Sequence, residues 1–217
     1  MWLALAVVTP PLWAQGAAVV SGRITLLDNT DHAGANVGQA VVWLTGEHAP
    51  AGIPDTLEMA TEAKQFVPRL LVVPKGSTIT FPNHDPFNHN VFSLSPERPF
   101  DLGLYGRGEA RTAHFDRSGI VRVYCNVHAT MRGLVLVQET GLIAQPGADG
   151  SFRLELVPPG DYLLHAWHER APEVTRQLRV PASGAQGLAL TLDARRYHLV
   201  QHKDKEGRSY ADRSRRY

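Results

Sequence analysis

Ile120-Val121-Arg122-Val123-Tyr124-Cys125-Asn126-Val127-His128-Ala129-Thr130-Met131 is the stretch on which the reading of this chain turns. Four of its first five residues are β-branched or aromatic, the composition of a strand. Gly133-Leu134-Val135-Leu136-Val137 follows as a second apolar run of strand length. The residues between them form a tight loop joining two strands at one end of a β-structure. That loop presents a thiol, an imidazole and a thioether at the spacing C-x2-H-x2-M. Upstream, Phe87-Asn88-His89-Asn90-Val91-Phe92 places a second imidazole where another strand begins.

Each of these side chains has an ordinary reading by itself. Cys125 reads as a buried core thiol, His128 as a surface histidine, Met131 as core filler and His89 as a turn residue. Their joint occurrence in a strand-loop-strand context favours a metal-ligand set instead. A thiolate and two imidazoles supply strong trigonal bonds, and a thioether adds a long, weak axial one. This mixture suits both Cu(I) and Cu(II), so the expected site is one copper ion held by His89, Cys125, His128 and Met131. Asn90 and Asn126 each neighbour a ligand and could tie the two loops together. The backbone around Asn90 is expected to hydrogen-bond the Cys125 sulfur, a contact that would tune the site. His84 and Asp85 are expected to line its rim.

Working outward, no long helical periodicity is present. Strands are predicted over 19–27, 40–44, 66–73, 77–82, 90–94, 111–115, 120–124, 134–138, 151–156, 161–168, 174–180 and 187–192. That is too many for one small sandwich, so two are expected. The polar, turn-rich residues 47–64 read as a linker and 139–149 as a second break. The simplest layout is an outer β-domain, 17–50 and 138–194, interrupted by an inserted one at 55–137. Assignment of residues 19–44 to the inserted domain stays open at this level.

The first charged residue is Arg23. Before it come the apolar run Trp2-Leu3-Ala4-Leu5-Ala6-Val7-Val8 and a small-residue region at Ala14-Gln15-Gly16-Ala17, as in a secretory signal peptide at 1–16. The usual basic n-region is missing, so a start a few codons upstream is expected. The run is too short and too Pro-broken to span a membrane. Cys125 is the one cysteine; because an exported chain usually pairs its cysteines, a single one suggests a buried inert thiol, an intermolecular disulfide or a metal ligand, and its neighbours favour the last. The net charge is +1, but residues 194–217 carry eight Lys/Arg against three Asp/Glu. This 195–217 tail is expected to be a solvated extension, with an electrostatic docking arm as the alternative.

On these residues the chain resembles the cupredoxin family. The segment 66–137 looks like a short cupredoxin, with VPKGSTITFPN before the first ligand and the Cys-His-Met loop near its end. The spacing before Met is similar to that of amicyanin, although Ala129 stands where amicyanin-like loops tend to have Pro. QFVPRLLVVPKGSTITFPNHDPFNHNVFSLS, PFDLGLY and VYCNVHATM resemble methylamine utilization proteins with a cupredoxin domain. SGRITLLDNTD and DGSFRLELVPPGDYLLHAWH resemble the carboxypeptidase regulatory-like, or transthyretin-like, β-sandwich. The resemblance implies an all-β chain, a cupredoxin-like Greek-key β-sandwich inserted in or joined to a transthyretin-like one. By position it carries the copper ligands onto His89, Cys125, His128 and Met131.

These expectations describe an exported, periplasmic, monomeric type 1 copper protein. It would carry single electrons between partner proteins through the exposed edge of His128, within an apolar rim of Phe87, Ala129 and Leu134. Storage, delivery or sensing of copper uses the same ligands and is the alternative. An adhesion or assembly protein with an incidental site is a third class. An enzyme is not expected: a multicopper oxidase needs several H-x-H pairs and the chain has none. No P-loop, dinucleotide fingerprint or Ser/His/Asp arrangement stands out. Near-zero net charge in an exported chain argues against nucleic acid. His165 and His168 in H-A-W-H-E are weighed as a second metal site, but an extended strand would point them to opposite faces.

Overall fold

The computed structural model describes residues 18–29, 36–198 and 201–210. The proposed signal peptide lies outside the described residues. Strands in chain order are β1 (Ala18–Leu27), β2 (Val41–Thr45), β3 (Thr56–Glu58), β4 (Ala60–Glu62), β5 (Gln65–Val67), β6 (Leu70–Pro74), β7 (Ser77–Pro82), β8 (His89–Ser93) and β9 (Phe100–Tyr105). They continue with β10 (Ala110–Phe115), β11 (Gly119–Cys125), β12 (Arg132–Gln138), β13 (Ile143–Ala144), β14 (Ser151–Val157), β15 (Gly160–His168), β16 (Ala171–Val180) and β17 (Ala185–Asp193). The chain divides into two compact units, Met1–Pro50 with Leu142–Tyr197, and Ala51–Gly141 with His198–Tyr217.

The first unit has a sheet ordered β14-β1-β17 and another ordered β13-β2-β15-β16. β1 and β17 run parallel and the remaining pairs antiparallel. Period-2 patterning builds its core: Phe152 and Leu154 of β14 and Tyr162, Leu164 and Ala166 of β15 all point inward. The turn Pro158-Pro159-Gly160 is pinned by the Tyr162 phenol, which donates to the Pro158 carbonyl at 2.7 Å.

The second unit has a five-stranded sheet ordered β6-β12-β11-β8-β9, a three-stranded sheet β10-β7-β3 and the hairpin β4-β5. Inward-facing side chains of both larger sheets share one core. Val121, Val123 and Cys125 of β11, Val91 of β8 and Val135 and Val137 of β12 come from the first, and Ile79, Phe81, Ala113 and Phe115 from the second. Cys125 is therefore the last member of the inward series 121, 123, 125. Tyr124, one residue earlier, faces the other side of the sheet. Met59, just before the hairpin, and Phe66 of β5 pack beside Gly133 near the start of β12. A Cβ on Gly133 would lie only 3.1 Å from the Met59 sulfur and 3.2 Å from Phe66, so glycine admits the close approach.

Several boundaries differ from expectation. The segment 47–64 is not simply a linker: it holds β3, parallel to β7, and β4. Both are short and largely polar, so they lack the apolar alternation that marks a strand. The predicted strand 66–73 is two strands in different sheets, separated at Pro68, which has no amide to give a ladder. The break at 139–149 holds β13. β9 is an addition to the predicted strands, because Asp101 and Gly103 interrupt its pattern. Gly103 takes a positive φ of 72°, and the β8–β9 register shifts between Asn90 and Phe92.

Candidate metal centre

β8 opens with His89, and β11 ends with Cys125, so both side chains emerge at the same end of one sheet. The two strands pair with Cys125 opposite Val91. Just beyond, the Asn126 amide donates to the Asn90 carbonyl at 2.9 Å, tying the loops through backbone. The loop from Asn126 to Met131 then closes on itself. The Met131 amide donates to the His128 carbonyl at 3.1 Å, and the Cys125 amide to the Met131 carbonyl at 3.3 Å.

His89, Cys125 and His128 come together with donor atoms all within 4.8 Å of one another. Nδ1 of His89 lies 3.5 Å from the Cys125 sulfur and Nδ1 of His128 lies 3.8 Å from it. Two metal bonds of about 2.0 and 2.3 Å meeting near 120° would hold their far atoms about 3.7 Å apart, so the spacing fits a trigonal set of two imidazole nitrogens and one sulfur. Cys125 and His89 are fully buried and His128 is half-buried. Met131 is buried in the same core cluster as Cys125 at the end of the loop. Phe87 packs against both imidazoles, with ring centroids 5.4 Å from His89 and 5.3 Å from His128. The Lys64 ammonium lies 5.1 Å from the Phe87 ring centre.

The electrostatics favour an ionised sulfur. Burial pushes the Cys125 thiol up, but the His89 ring and the backbone amides of Asn90, His128 and Val127 outweigh it and hold the thiol below its usual value. The Asn90 amide contact is the one expected from sequence. Burial lowers His89, while Cys125 and Asp85 draw it above its ordinary value. His128 is held below its own, first by burial and then by positive charge at the nearby His89 and Lys64 side chains when these are protonated. Burial also pushes the Tyr105 phenol well up, and the Cys125 charge adds to this.

Two rim expectations change. Asp85 is buried at 6% exposure, and its carboxylate accepts from the His89 Nε2–H at 2.8 Å. Leu134 is 5% exposed, because it stands within β12 between its neighbours β6 and β11. His84 is exposed, and Phe87 and Ala129 are partly buried.

The other histidines weighed from the sequence lie apart from this cluster. His165 stacks on Trp43 at 4.8 Å and its ring nitrogens contact Thr45 at 2.8 Å and Glu173 at 2.6 Å. His168 follows a register shift in β15 and is buried. His114 is exposed beside Thr78. Among the described residues the only His/Cys/Asp/Glu group with metal-like spacing is the one at Cys125.

The sequence missed a set of contacts from the far end of the chain. The His202 ring stacks on Tyr124 with centroids 4.2 Å apart. The Lys205 amide donates to the Asn126 side-chain oxygen at 3.1 Å, and Tyr210 Oη donates to the Cys125 carbonyl at 2.8 Å. No local pattern announces such contacts. The only hint is an aromatic and imidazole content unusual for a solvated tail.

Comparison with known proteins bears on the second unit. Residues 55–138 match the family described as copper binding proteins, plastocyanin/azurin family. No curated protein matches the chain. Among solved structures, a purple cupredoxin from Nitrosopumilus maritimus is 24% identical, with 38% of this chain and 99% of that one covered and a TM-score of 0.35. A reduced Cu(I) form of an amicyanin variant is 21% identical, covering 45% and 98%, with a TM-score of 0.37. The copper-containing nitrite reductase of Thermus scotoductus SA-01 is 26% identical, covering 40% of this chain but only 23% of that one, with a TM-score of 0.37. Residues 55–138 are thus similar to the copper-binding plastocyanin/azurin family, and the donors gathered there fit one copper ion as cofactor.

Proposed function

We propose that the second unit is a non-enzymatic one-electron carrier. In this reading His89, Cys125 and His128 are the strong ligands and Met131 is the weak axial one. The observation that carries it is the placement of both imidazole Nδ1 atoms, 3.5 and 3.8 Å from a buried sulfur held by three backbone amides. Bound copper supplies the one-electron step between Cu(II) and Cu(I). The chain supplies rigidity: strand ends fix His89 and Cys125, and loop hydrogen bonds fix His128 and Met131. Such a frame leaves little to rearrange when the charge changes. The burial of His89 and Cys125 excludes water, while the half-buried His128 ring offers an edge toward a partner. Val127 beside it is 48% exposed and adds apolar surface suited to a small, transient contact.

The same reading makes the protein an exported, periplasmic monomer that meets redox partner proteins. No helix among the described residues is long and apolar enough to cross a membrane. The first unit is read as the carboxypeptidase regulatory-like sandwich, a reading supported by its two sheets and its Pro158–Tyr162 corner. Voltammetry with a Cu(I) chelator present tests the carrier. Reversible cycling with copper retained supports it. Loss of copper to the chelator on reduction would instead support storage or delivery.

A further inference from the structure

Asp85 has an unusual position for a carboxylate. It is almost fully buried, yet each of its oxygens is used. Oδ1 accepts from the Ala63 amide at 2.8 Å. Oδ2 accepts from the Lys64 amide at 3.0 Å and from His89 Nε2–H at 2.8 Å. Ala63 and Lys64 form the turn of the β4–β5 hairpin, and both have positive φ, 50° and 57°. Two consecutive amides therefore converge on one carboxylate. Asp85 is itself seated by Asn83, whose Oδ1 accepts the Asp85 amide at 2.9 Å. Asn83 Nδ2 in turn donates to the Phe87 and Tyr105 carbonyls. The result is a continuous polar link from a hairpin turn, through a carboxylate, to one imidazole.

A carboxylate can only accept from Nε2, so in the neutral ring the proton sits on Nε2 and the opposite nitrogen, Nδ1, keeps its lone pair. That is the nitrogen facing the Cys125 sulfur. We propose that Asp85 is a positioning residue for His89: it fixes the tautomer and ring angle that present Nδ1 to the metal, and it lowers the reduction potential of the copper bound there. The second effect follows from charge. A buried anion one imidazole width from the metal favours Cu(II) over Cu(I), because the surroundings screen it weakly. The proposal rests on the reading of His89 as a copper ligand. Its first half does not require copper to be present.

The test uses the full chain. In the metal-free protein, at a pH high enough for the His89 ring to be neutral, nitrogen NMR should show the proton on Nε2. A proton on Nδ1 would overturn the proposal without any variant. Asp85→Asn offers one acceptor oxygen where the carboxylate offered two, so it cannot hold both the hairpin amides and His89. It should populate both tautomers. In the copper form it should raise the potential by the equivalent of about tenfold in the Cu(II)/Cu(I) ratio, about 59 mV. Thr61→Val is the control. It removes the Thr61 hydrogen bond to Asn83 within the same hairpin contact and leaves the carboxylate in place. It should change neither the tautomer nor the potential. Equal shifts in both variants, or none in Asp85→Asn, would overturn the proposal. A wild type that binds no copper would remove the electron-carrier reading, and the tautomer result would still decide the role of Asp85.

Discussion

The Tyr210 phenol donates a 2.8 Å hydrogen bond to the backbone carbonyl of Cys125, so a residue 85 positions downstream holds the peptide that carries the one cysteine. The contact comes from the side of the sheet opposite the donor cluster. Cys125 points inward with Val121 and Val123, whereas Tyr124 points outward and receives the His202 ring. Between these contacts the Lys205 amide holds the Asn126 side chain. The terminal segment thus grips the loop from behind.

Tyr210→Phe should destabilise the metal-free second unit by about 1 kcal/mol, the usual net value of one hydrogen bond. It should also speed copper release. Deleting His198–Tyr217 should do more, because the His202 stack is worth about another 0.5–1.5 kcal/mol. Denaturant unfolding and chelator-driven copper loss would measure both. Unchanged values in the deletion would make the segment a passive extension. Its described charges are also less available than a count suggests. Lys205 pairs with Asp101 at 2.6 Å, and Arg208 with Asp204 and Glu206.

The Asp101–Lys205 pair gives the grip a pH dependence. Burial alone would raise the Asp101 carboxyl, but Lys205, Asn90 and the Gly103 amide hold it below its ordinary value. A carboxyl depressed in the folded state contributes stability that is full above its unfolded value, about pH 4, and lost as pH falls through the folded value. Both partners are partly exposed, so the contribution is small, about 0–1 kcal/mol. Asp101→Asn should remove this acid-side loss. A variant whose stability still falls with acid as the wild type does would show that the pair is not the cause.

His89→Ala or His128→Ala should lower copper affinity by more than about a hundredfold, beyond the range typical of outer partners. His165→Ala and His168→Ala should leave it unchanged. His165 is already engaged by Thr45, Glu173 and Trp43. Elemental analysis after dialysis would show the difference. Equal losses from His165→Ala and His89→Ala would place the metal elsewhere.

Much of the site is legible in the sequence because its chemistry is local. Cys125, His128 and Met131 lie within seven residues on one loop, and the strands that fix them carry plain β patterns. His89 is legible because it opens a strand. Asp85 reads as a rim residue, since nothing in its neighbours says that a hairpin 21 and 22 residues earlier will bury it. The adjacent Asn83-His84-Asp85 cluster is the available signal, as a polar knot ahead of a ligand. β3 and β4 escape the sequence reading for a related reason. β3 is held by pairing with β7 while staying largely exposed, and the buried Ala60 and Thr61 of β4 are covered through pairing with β5, so neither carries a hydrophobic pattern of its own. The tail contacts on Tyr124 and Cys125 depend on tertiary approach alone.

Met131 should tune the potential without creating the site, because a thioether is the weakest donor of such a set. Met131→Gln should keep copper and lower the potential. Met131→Leu should keep copper and raise it, since Cu(II) loses its axial donor. Either shift is readable by voltammetry, where about 59 mV corresponds to tenfold. Loss of copper in both variants would make Met131 a principal ligand, and an unmoved potential in both would make it core filler.

The central claim is that a copper ion bonds the Cys125 thiolate, and the visible absorption spectrum of the protein loaded with one equivalent of Cu(II) tests it most directly. The account predicts an intense blue or green band from thiolate-to-copper charge transfer, bleached by a reductant and absent in folded Cys125→Ser. A colourless wild type that retains stoichiometric Cu(II), or a Cys125→Ser variant with the same band, would contradict it.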